Sequence, residues 1–329
     1  MDKDFFDTAT IFLDDMPIVV TVSMLVYNHG RYLRQALDSV LMQKVNFRYQ
    51  IVVGEDASTD DSRDILLEYA DRFPDRFRLI LHEQNVGIEE NVNSKLPYLT
   101  GEFIAPLEGD DYWTDPEKLQ KQVDFLRTNP KYTAVSHQIE TVDEEGNAIS
   151  DGFLNGLYCS EGEFTLQDLL NYRMPGQTAS MVFRNYLLGF TENQMKVYMA
   201  SPVIGDRKLT LVNTLTGRIW CMPDVMSAYR RHPGSWNCVE RPGGSACYHY
   251  FESYRMEKLA YDLYQIPIDF SQLRTHAWFG TVAYFIRHPS PKNLRAVFDV
   301  FFTGGKYLKK ILVLVAYLLR LPRKLLSKK

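Results

Sequence analysis

Two apolar patterns alternate along the first 140 residues. Short runs rich in β-branched and aromatic residues, Ile18 to Val26, Ile51 to Val53, Phe77 to Leu81, Phe103 to Leu107 and Thr133 to Ser136, read as strands. Between them, Tyr32 to Met42, Ser62 to Phe73, Glu89 to Leu99 and Lys118 to Leu126 carry apolar residues at helical spacing. Such β-α-β alternation predicts an α/β fold, a mostly parallel sheet flanked by helices on both faces. The connections after the strands hold Asn28-His29-Gly30, Asp56 to Asp61 and Gly109 to Asp115. Ligands of open α/β sheets bind outside those carboxyl ends.

Turn chemistry supports the boundaries. Ser58, Thr59 and Asp60 are capping side chains ahead of the helix that begins near Ser62, and Pro116 suits a first helical turn. Beyond Val142 the pattern loosens, with Asp143 to Asn147 reading as a hairpin turn. From Tyr248 to Arg287 aromatic and apolar residues return at helical spacing. From Tyr307 cationic clusters (Lys309, Lys310, Arg320, Arg323, Lys324, Lys328, Lys329) flank the apolar run Ile311 to Leu319. As a helix that run covers about 14 Å, less than half of a bilayer core of about 30 Å, so it does not span. It reads either as a helix lying in the interface of an anionic leaflet or as a helix docked on the core.

With 329 residues, 45% of them hydrophobic and 13% aromatic, the chain can bury a large core. A net charge of -4 lacks the basic footprint of a dedicated nucleic-acid binder. Cys159, Cys221, Cys238 and Cys247 form no C-x-x-C pair, so neither a structural zinc site nor a disulfide framework is indicated. Acidic Asp2, Asp4 and Asp7 open the chain without a basic segment and apolar run behind them, so the expectation is a cytoplasmic protein, not an exported one.

Chemistry concentrates in two strand-end segments. Leu107-Glu108-Gly109-Asp110-Asp111-Tyr112-Trp113 places three carboxylates within four positions, which resist ionising together unless a cation offsets them. Oxygen ligands at a strand end suit Mg²⁺ or Mn²⁺ binding substrate phosphates; a solvated acidic turn is the alternative. In Gly54-Glu55-Asp56-Ala57-Ser58-Thr59-Asp60, a carboxylate can accept the imide N–H of uracil or thymine, while a helix cap explains the same residues without a ligand.

In order and spacing these segments resemble the family 2 glycosyltransferases with the GT-A fold, over roughly Pro17 to Trp236. Val22 to Asn28 is similar to the family's opening strand and Tyr-Asn turn, Glu55 to Asp60 to its Asp-Asp-Gly-Ser-Thr-Asp element, Asn85-Val86-Gly87 to its Asn-x-Gly turn, and Glu108 to Asp111 to its acidic metal motif. Glu108 to Pro116 with Lys118 to Gln122 resembles a run found in a subset of bacterial members. The resemblance implies a metal-dependent, inverting hexosyltransferase with a divalent metal (Mn²⁺ or Mg²⁺) as cofactor. Its donor, a nucleoside-diphosphate sugar and most simply a UDP-sugar, would be bound by Tyr27, Asn28, Glu55, Asp56, Asn91 and Arg231.

Metal ligands implied are Glu108, Asp110, Asp111 and His232, the last from the element Tyr229-Arg230-Arg231-His232 that resembles the family's Tyr-Arg-x-His. Glu55 and Glu108 depart from the more usual Asp; the longer Glu108 reaches the metal through water, and Asp110 is the preferred direct ligand. Gly205-Asp206-Arg207-Lys208-Leu209 resembles the downstream element carrying the base, which makes Asp206 the acceptor of the hydroxyl proton. Read alone, Asp206 is equally an N-cap, and His232 a hydrogen-bonded loop residue. Trp113 is the candidate for stacking on the acceptor sugar, with core packing as its alternative. The stretch Trp236 to Ser245, with Gly234, Gly243 and Gly244, is expected to close over the donor.

The organisation expected is a catalytic domain over 1–245, with a donor half at about 17–140 and an acceptor half at about 141–245, and a helical extension over 246–329 ending in the basic amphipathic segment. By analogy the acceptor is a glycan, lipid-linked, in bacterial surface polysaccharide (capsule) synthesis. The protein would sit peripherally at the inner face of the cell membrane. Oligomeric state is left open, a homo-oligomer included. A sugar-nucleotide nucleotidyltransferase lacks support because no Gly-rich phosphate loop follows the first strand. A non-catalytic carbohydrate-binding protein is opposed by Asp110, Asp206 and His232.

Overall fold

Nine strands form one sheet among the residues that the computed structural model describes, which are 17–150, 157–171, 173–186, 189, 191–200, 205–233, 246–266, 271–287 and 289–302. The first part follows the predicted alternation: β1 (Ile18–Val26), α1 (Gly30–Leu41), β2 (Arg48–Glu55), α2 (Ser62–Arg72), β3 (Phe77–Leu81), α3 (Ile88–Asn93) and β4 (Phe103–Glu108). β1 pairs in parallel with β2 and β4, and β2 with β3. Val20, Val22 and Met24 of β1 are fully buried in one core with Leu33, Leu37 and Val40 of α1. Each such side chain contributes about 1.5–3 kcal/mol over an exposed one. Where helical spacing predicts one helix from Glu89 to Leu99, the structure breaks it into α3 and a 3₁₀ turn, Leu96–Tyr98. Pro97 has no N–H to continue an α-helical ladder.

The later elements are β5 (Tyr112–Trp113), α4 (Lys118–Thr128), β6 (Tyr132–Val142), β7 (Gly162–Phe164), α5 (Leu166–Leu170), β8 (Val182–Arg184), α6 (Glu192–Tyr198), α7 (Gly205–Thr216) and β9 (Arg218–Arg230). Strand order is β3-β2-β1-β4-β8-β6-β9-β5, with β7 also on β9. β8 lies antiparallel between β4 and β6, β6 and β9 are parallel, and β5 and β7 run antiparallel to β9. The sheet is therefore mixed where the sequence pattern predicts a mostly parallel one. Strands of two or three residues are too short to show a period.

β6 extends well past Ser136 because Gln138 and Glu140 interrupt its apolar run without leaving the sheet. At the end of β6, Asp143 Oδ1 accepts the backbone N–H of Glu145 (3.0 Å) and Asn147 (2.8 Å), with Gly146 at φ 89°, which is the predicted hairpin turn. Along β9 the partner of β6 skips from Met222 to Val225. Pro223 falls in that irregularity, where a missing ladder donor does no harm.

The chain divides into two compact units, Met1–Tyr198 with Gly205–Val239, and Met199–Ile204 with Glu240–Lys329. The second contains α8 (Ala246–Tyr264), α9 (Ser271–Arg287) and α10 (Pro291–Phe302), packed in sequence order, with Met256, Ala260, Ala277 and Trp278 buried. No described helix is long and apolar enough to cross a membrane. The basic tail from Tyr307 and the loop from Trp236 to Ser245 lie outside the described residues.

Candidate active site

The strand-end loops of β1 and β2 are cross-tied. Asn28 and Ala57 both adopt left-handed conformations, φ 56° and 53°. Asn28 N donates to Ser58 Oγ at 2.9 Å, and Thr59 N donates to Asn28 Oδ1 at 2.8 Å. Asp60 caps two helices together: Oδ2 accepts Gly30 N of α1 and Oδ1 accepts Ser62 N of α2. Tyr27 is left 44% exposed at the rim. Asp56 is committed to the next turn, accepting Val86 N (2.6 Å) and Gly87 N (3.0 Å). Glu55 is fully buried: Oε1 accepts Ser58 N at 2.5 Å and Oε2 pairs with Arg63. It holds the turn and is not presented to a nucleobase. Asn91, expected to bind donor, is buried against Gly54 and donates to its carbonyl at 3.1 Å.

The acidic turn after β4 is held from three sides. Gly109 N donates to Leu25 O, and a Cβ on Gly109 would meet His29 Nδ1 at 2.7 Å, so only glycine lets that ring pack there. Arg230, 2% exposed, donates from Nε to Asp110 O, from Nη1 to Asp143 O and Glu144 O, and from Nη2 to Gln35 Oε1. Its backbone N–H reaches Asp111 Oδ1 at 2.8 Å, while Gln177 Nε2 reaches Asp111 Oδ2 at 2.7 Å. Asp111, proposed from sequence as a ligand, is thus buried with both oxygens engaged by protein donors. Burial, then Asp110 and Glu108, raise its carboxyl well above the ordinary range.

Asp110 instead meets two imidazoles: His232 Nε2 at 3.0 Å and His29 Nε2 at 3.8 Å from Oδ2. Burial alone would raise the Asp110 carboxyl, but the two histidines hold it below the usual value. Burial, then Asp110 and Asp206, push Glu108 up to about 7, and its buried Oε2 accepts no hydrogen bond. Behind the turn lies Lys95, 2% exposed, donating from Nζ to Ser23 Oγ (2.9 Å) and Met24 O (2.8 Å). Burial pulls its ammonium down to about 7, and Glu108 opposes the shift.

Asp206 is in the first turn of α7, and its charge acts on Glu108, so these two carboxylates belong to one electrostatic neighbourhood. Tyr158 joins it. Arg231 is half-buried and donates its backbone N–H to Val142 O at 2.8 Å. Trp113 does not face an acceptor: it is 1% exposed, donates Nε1–H to Ala179 O at 3.0 Å, and carries Lys118 Nζ over its ring at 4.2 Å. Sequence reasoning missed His29, Lys95, Gln177, Tyr158 and Arg230. Of these, His29 carried a signal, being a titratable residue in the turn after β1.

The donor set suits a divalent cation in kind. Glu108 offers an unpartnered buried oxygen, and Asp110 and His232 offer oxygen and imidazole nitrogen 3.0 Å apart. That spacing is about that of adjacent ligands bound at roughly 2.1 Å in an octahedral shell. Among the described residues no three His, Cys, Asp or Glu side chains already close around one point.

Comparison with known proteins places this site in context. TarS of S. aureus in complex with UDP-GlcNAc superposes with a TM-score of 0.60 at 17% identity, over 86% of this chain and 80% of that one. The fold is therefore that of the GT-A glycosyltransferases, a mixed sheet flanked by helices. An uncharacterized protein of Mycobacterium tuberculosis is 32% identical over 229 residues, 67% of this chain and 60% of that protein. An uncharacterized glycosyltransferase of Nostoc sp. is 30% identical over 223 residues, 66% of this chain and 65% of its own. The matched region thus spans less than two thirds of either relative. The profile of Glycosyl transferase family 2 matches residues 21–188, about half of the sequence, and on that ground the chain belongs to this family.

Proposed function

We propose that this chain transfers a sugar, with inversion, from a UDP-sugar to a hydroxyl of a glycan acceptor. The observation that carries the reading is Asp110 held between His29 and His232, with Glu108 and Asp206 in the same acidic neighbourhood. Tyr27, exposed at the rim, and the cross-tied Asn28 and Thr59 loops would receive the nucleotide. The UDP-GlcNAc bound to TarS supports a uridine donor. Glu108, Asp110 and His232 would hold a divalent ion, Mn²⁺ or Mg²⁺, which when bound offsets charge on the departing diphosphate. Asp206 would accept the proton of the attacking hydroxyl as that oxygen approaches the anomeric carbon from the face opposite the leaving group.

The acceptor side is inferred by family analogy: a growing, lipid-linked glycan of a bacterial surface polysaccharide, with the basic tail from Tyr307 drawing the enzyme to the inner membrane face. Loss of liposome partitioning on deleting 307–329 is the expected result, and unchanged partitioning would end the membrane part of the proposal.

A panel of UDP- and dTDP-sugars, tested with Mn²⁺ for thermal stabilisation and for release of nucleoside diphosphate, examines the reaction itself. One or a few donors should stabilise the protein and turn over, giving a product of inverted anomeric configuration by NMR. Binding without release of diphosphate in the presence of glycan acceptors would point to a carbohydrate-binding protein instead.

A further inference from the structure

At the amino-terminal ends of the parallel strands, Gln50, Asp75, Arg76, Arg78, Tyr98 and Thr100 line a cleft of about 470 Å³. Small-molecule sites enclose roughly 300–1,000 Å³, so the cleft is large enough for one. Gln50 precedes Glu55 on β2 by five positions, which sets the cleft about 16 Å along the strand from the carboxyl end and its acidic turn. The reaction as described above does not use it.

Two cations in the cleft are held in place and unclaimed. Arg34, Arg63, Arg72 and Arg127 each pair with a carboxylate, whereas Arg76 and Arg78 form no ion pair among the described residues. Arg76 has its guanidinium carbon 4.4 Å from the centre of the buried Tyr49 ring and donates from Nη1 to Tyr49 O at 3.4 Å. Arg78 lies over the Tyr98 ring, also at 4.4 Å. A guanidinium stacked on a ring still presents in-plane N–H groups to an anion, and the stacking removes part of the ordering cost of binding one.

Gln50 is oriented as well. Its Nε2 donates to Tyr98 O at 2.8 Å and lies 3.0 Å from both Thr21 Oγ1 and Thr100 Oγ1. A carbonyl only accepts, so the amide cannot be turned round, and Oε1 is left without a donor among the described residues. The exposed Asp75 carboxylate likewise accepts no hydrogen bond from them. The cleft thus offers guanidinium donors to negative charge and oxygen acceptors to hydroxyls. A bare anion leaves Gln50 unmatched and is repelled by Asp75; a neutral sugar leaves both arginines unmatched. A sugar that carries negative charge satisfies all four.

We propose that this cleft binds an anionic oligosaccharide, with its carboxylate or phosphate groups on Arg76 and Arg78 and its hydroxyls on Gln50 and Asp75. Binding needs no turnover. Its role rests on the glycosyl-transfer reading and deepens it: a charged glycan held here stays with the enzyme between transfers, which raises its effective concentration at the catalytic end.

The test is calorimetry on the full chain without donor or metal. The probes are tetragalacturonate and a phosphorylated maltotetraose, set against maltotetraose, inorganic phosphate and a tetraglutamate peptide. At least one charged saccharide should bind about tenfold more tightly than each of the other three, and which one does so tells carboxylate from phosphate. Arg78 is exposed, so Arg78→Gln should keep the melting temperature while weakening that binding about tenfold. Arg76→Gln should weaken it as much. UDP affinity in the presence of Mn²⁺ should be the same in both variants as in the unmodified protein.

Equal binding of maltotetraose, of phosphate or of the peptide overturns the proposal, as does an unchanged affinity in Arg78→Gln, whether or not Arg76→Gln folds. Binding of a charged saccharide by a protein that turns over no donor would remove the glycosyl-transfer reading and leave the site. Turnover without such binding would do the reverse.

Discussion

His232 Nε2 lies 3.0 Å from Asp110 Oδ2, although 122 positions separate the two residues in the chain. The long strand β9 ends just before His232, and the turn after β4 presents Asp110. Replacing His232 with Gln keeps a polar side chain and removes the imidazole. It is expected to weaken Mn²⁺ binding by about 10- to 100-fold, read by calorimetry on the donor-free protein. An unaltered affinity would leave His232 as a partner of Asp110 and nothing more.

The pH dependence of the metal-free protein follows from two buried groups with opposite slopes. Glu108 is raised from 4.5 to about 7, so between those values the folded state binds more protons than the unfolded one, and stability falls as pH rises. Lys95 is lowered from 10.5 to about 7, so above that pH the unfolded state binds more protons and stability rises. Together they predict a shallow minimum in melting temperature near neutrality. Glu108→Gln should remove the acid-side slope, and Mn²⁺ should fill in the minimum. A profile that falls throughout pH 5 to 9 would refute the Lys95 assignment, and one that rises throughout would refute that of Glu108.

Ala57 sits at φ 53°, a conformation in which its Cβ crowds the backbone. That strain is about 1–2 kcal/mol, against which glycine loses about 0.4–1 kcal/mol through a more flexible unfolded chain. Ala57→Gly should therefore gain about 0.5–1 kcal/mol in urea unfolding without altering the hydrogen bonds of the Ser58 and Thr59 turn.

Trp113 tests whether the acceptor touches the residue that its sequence position favoured. Trp113→Phe strands the Ala179 carbonyl, a buried acceptor, at a cost of about 1–3 kcal/mol. Stability should drop while the acceptor KM stays within about twofold, since no contact with acceptor is lost. A large KM change at full stability would return Trp113 to the acceptor side.

The donor-side fold was legible because its strands are long enough to show a period: Ile18–Val26 and Phe77–Leu81 are bounded as the apolar pattern predicts. So was the chemical core, since carboxylates after an apolar strand stand out in any window. What the pattern hid was which oxygen of each group is already taken. Asp111 is claimed by Gln177, 66 positions on, and by the backbone of Arg230, 119 positions on. Glu55 is claimed by Arg63, the second residue of α2, a partner no strand-end motif advertises. Trp113 left the acceptor side for a similar reason, because burial of an aromatic is decided by elements that arrive later in the chain, here the Ala179 carbonyl 66 positions on.

The skip in the β6–β9 pairing at Met222 and Val225 bears on how this sequence tolerates change in length. Upstream of the skip, an added or deleted residue can be absorbed where the ladder is already interrupted. A second shift follows between Val225 and Ser227. Beyond it, between Ser227 and Arg230, the pairing is uninterrupted, and one residue more would turn Arg230 to the opposite side of the sheet and carry His232 off Asp110. Insertions and deletions among natural variants should therefore gather before Ser227 and vanish after it, leaving the last four residues of β9 as a segment of fixed length.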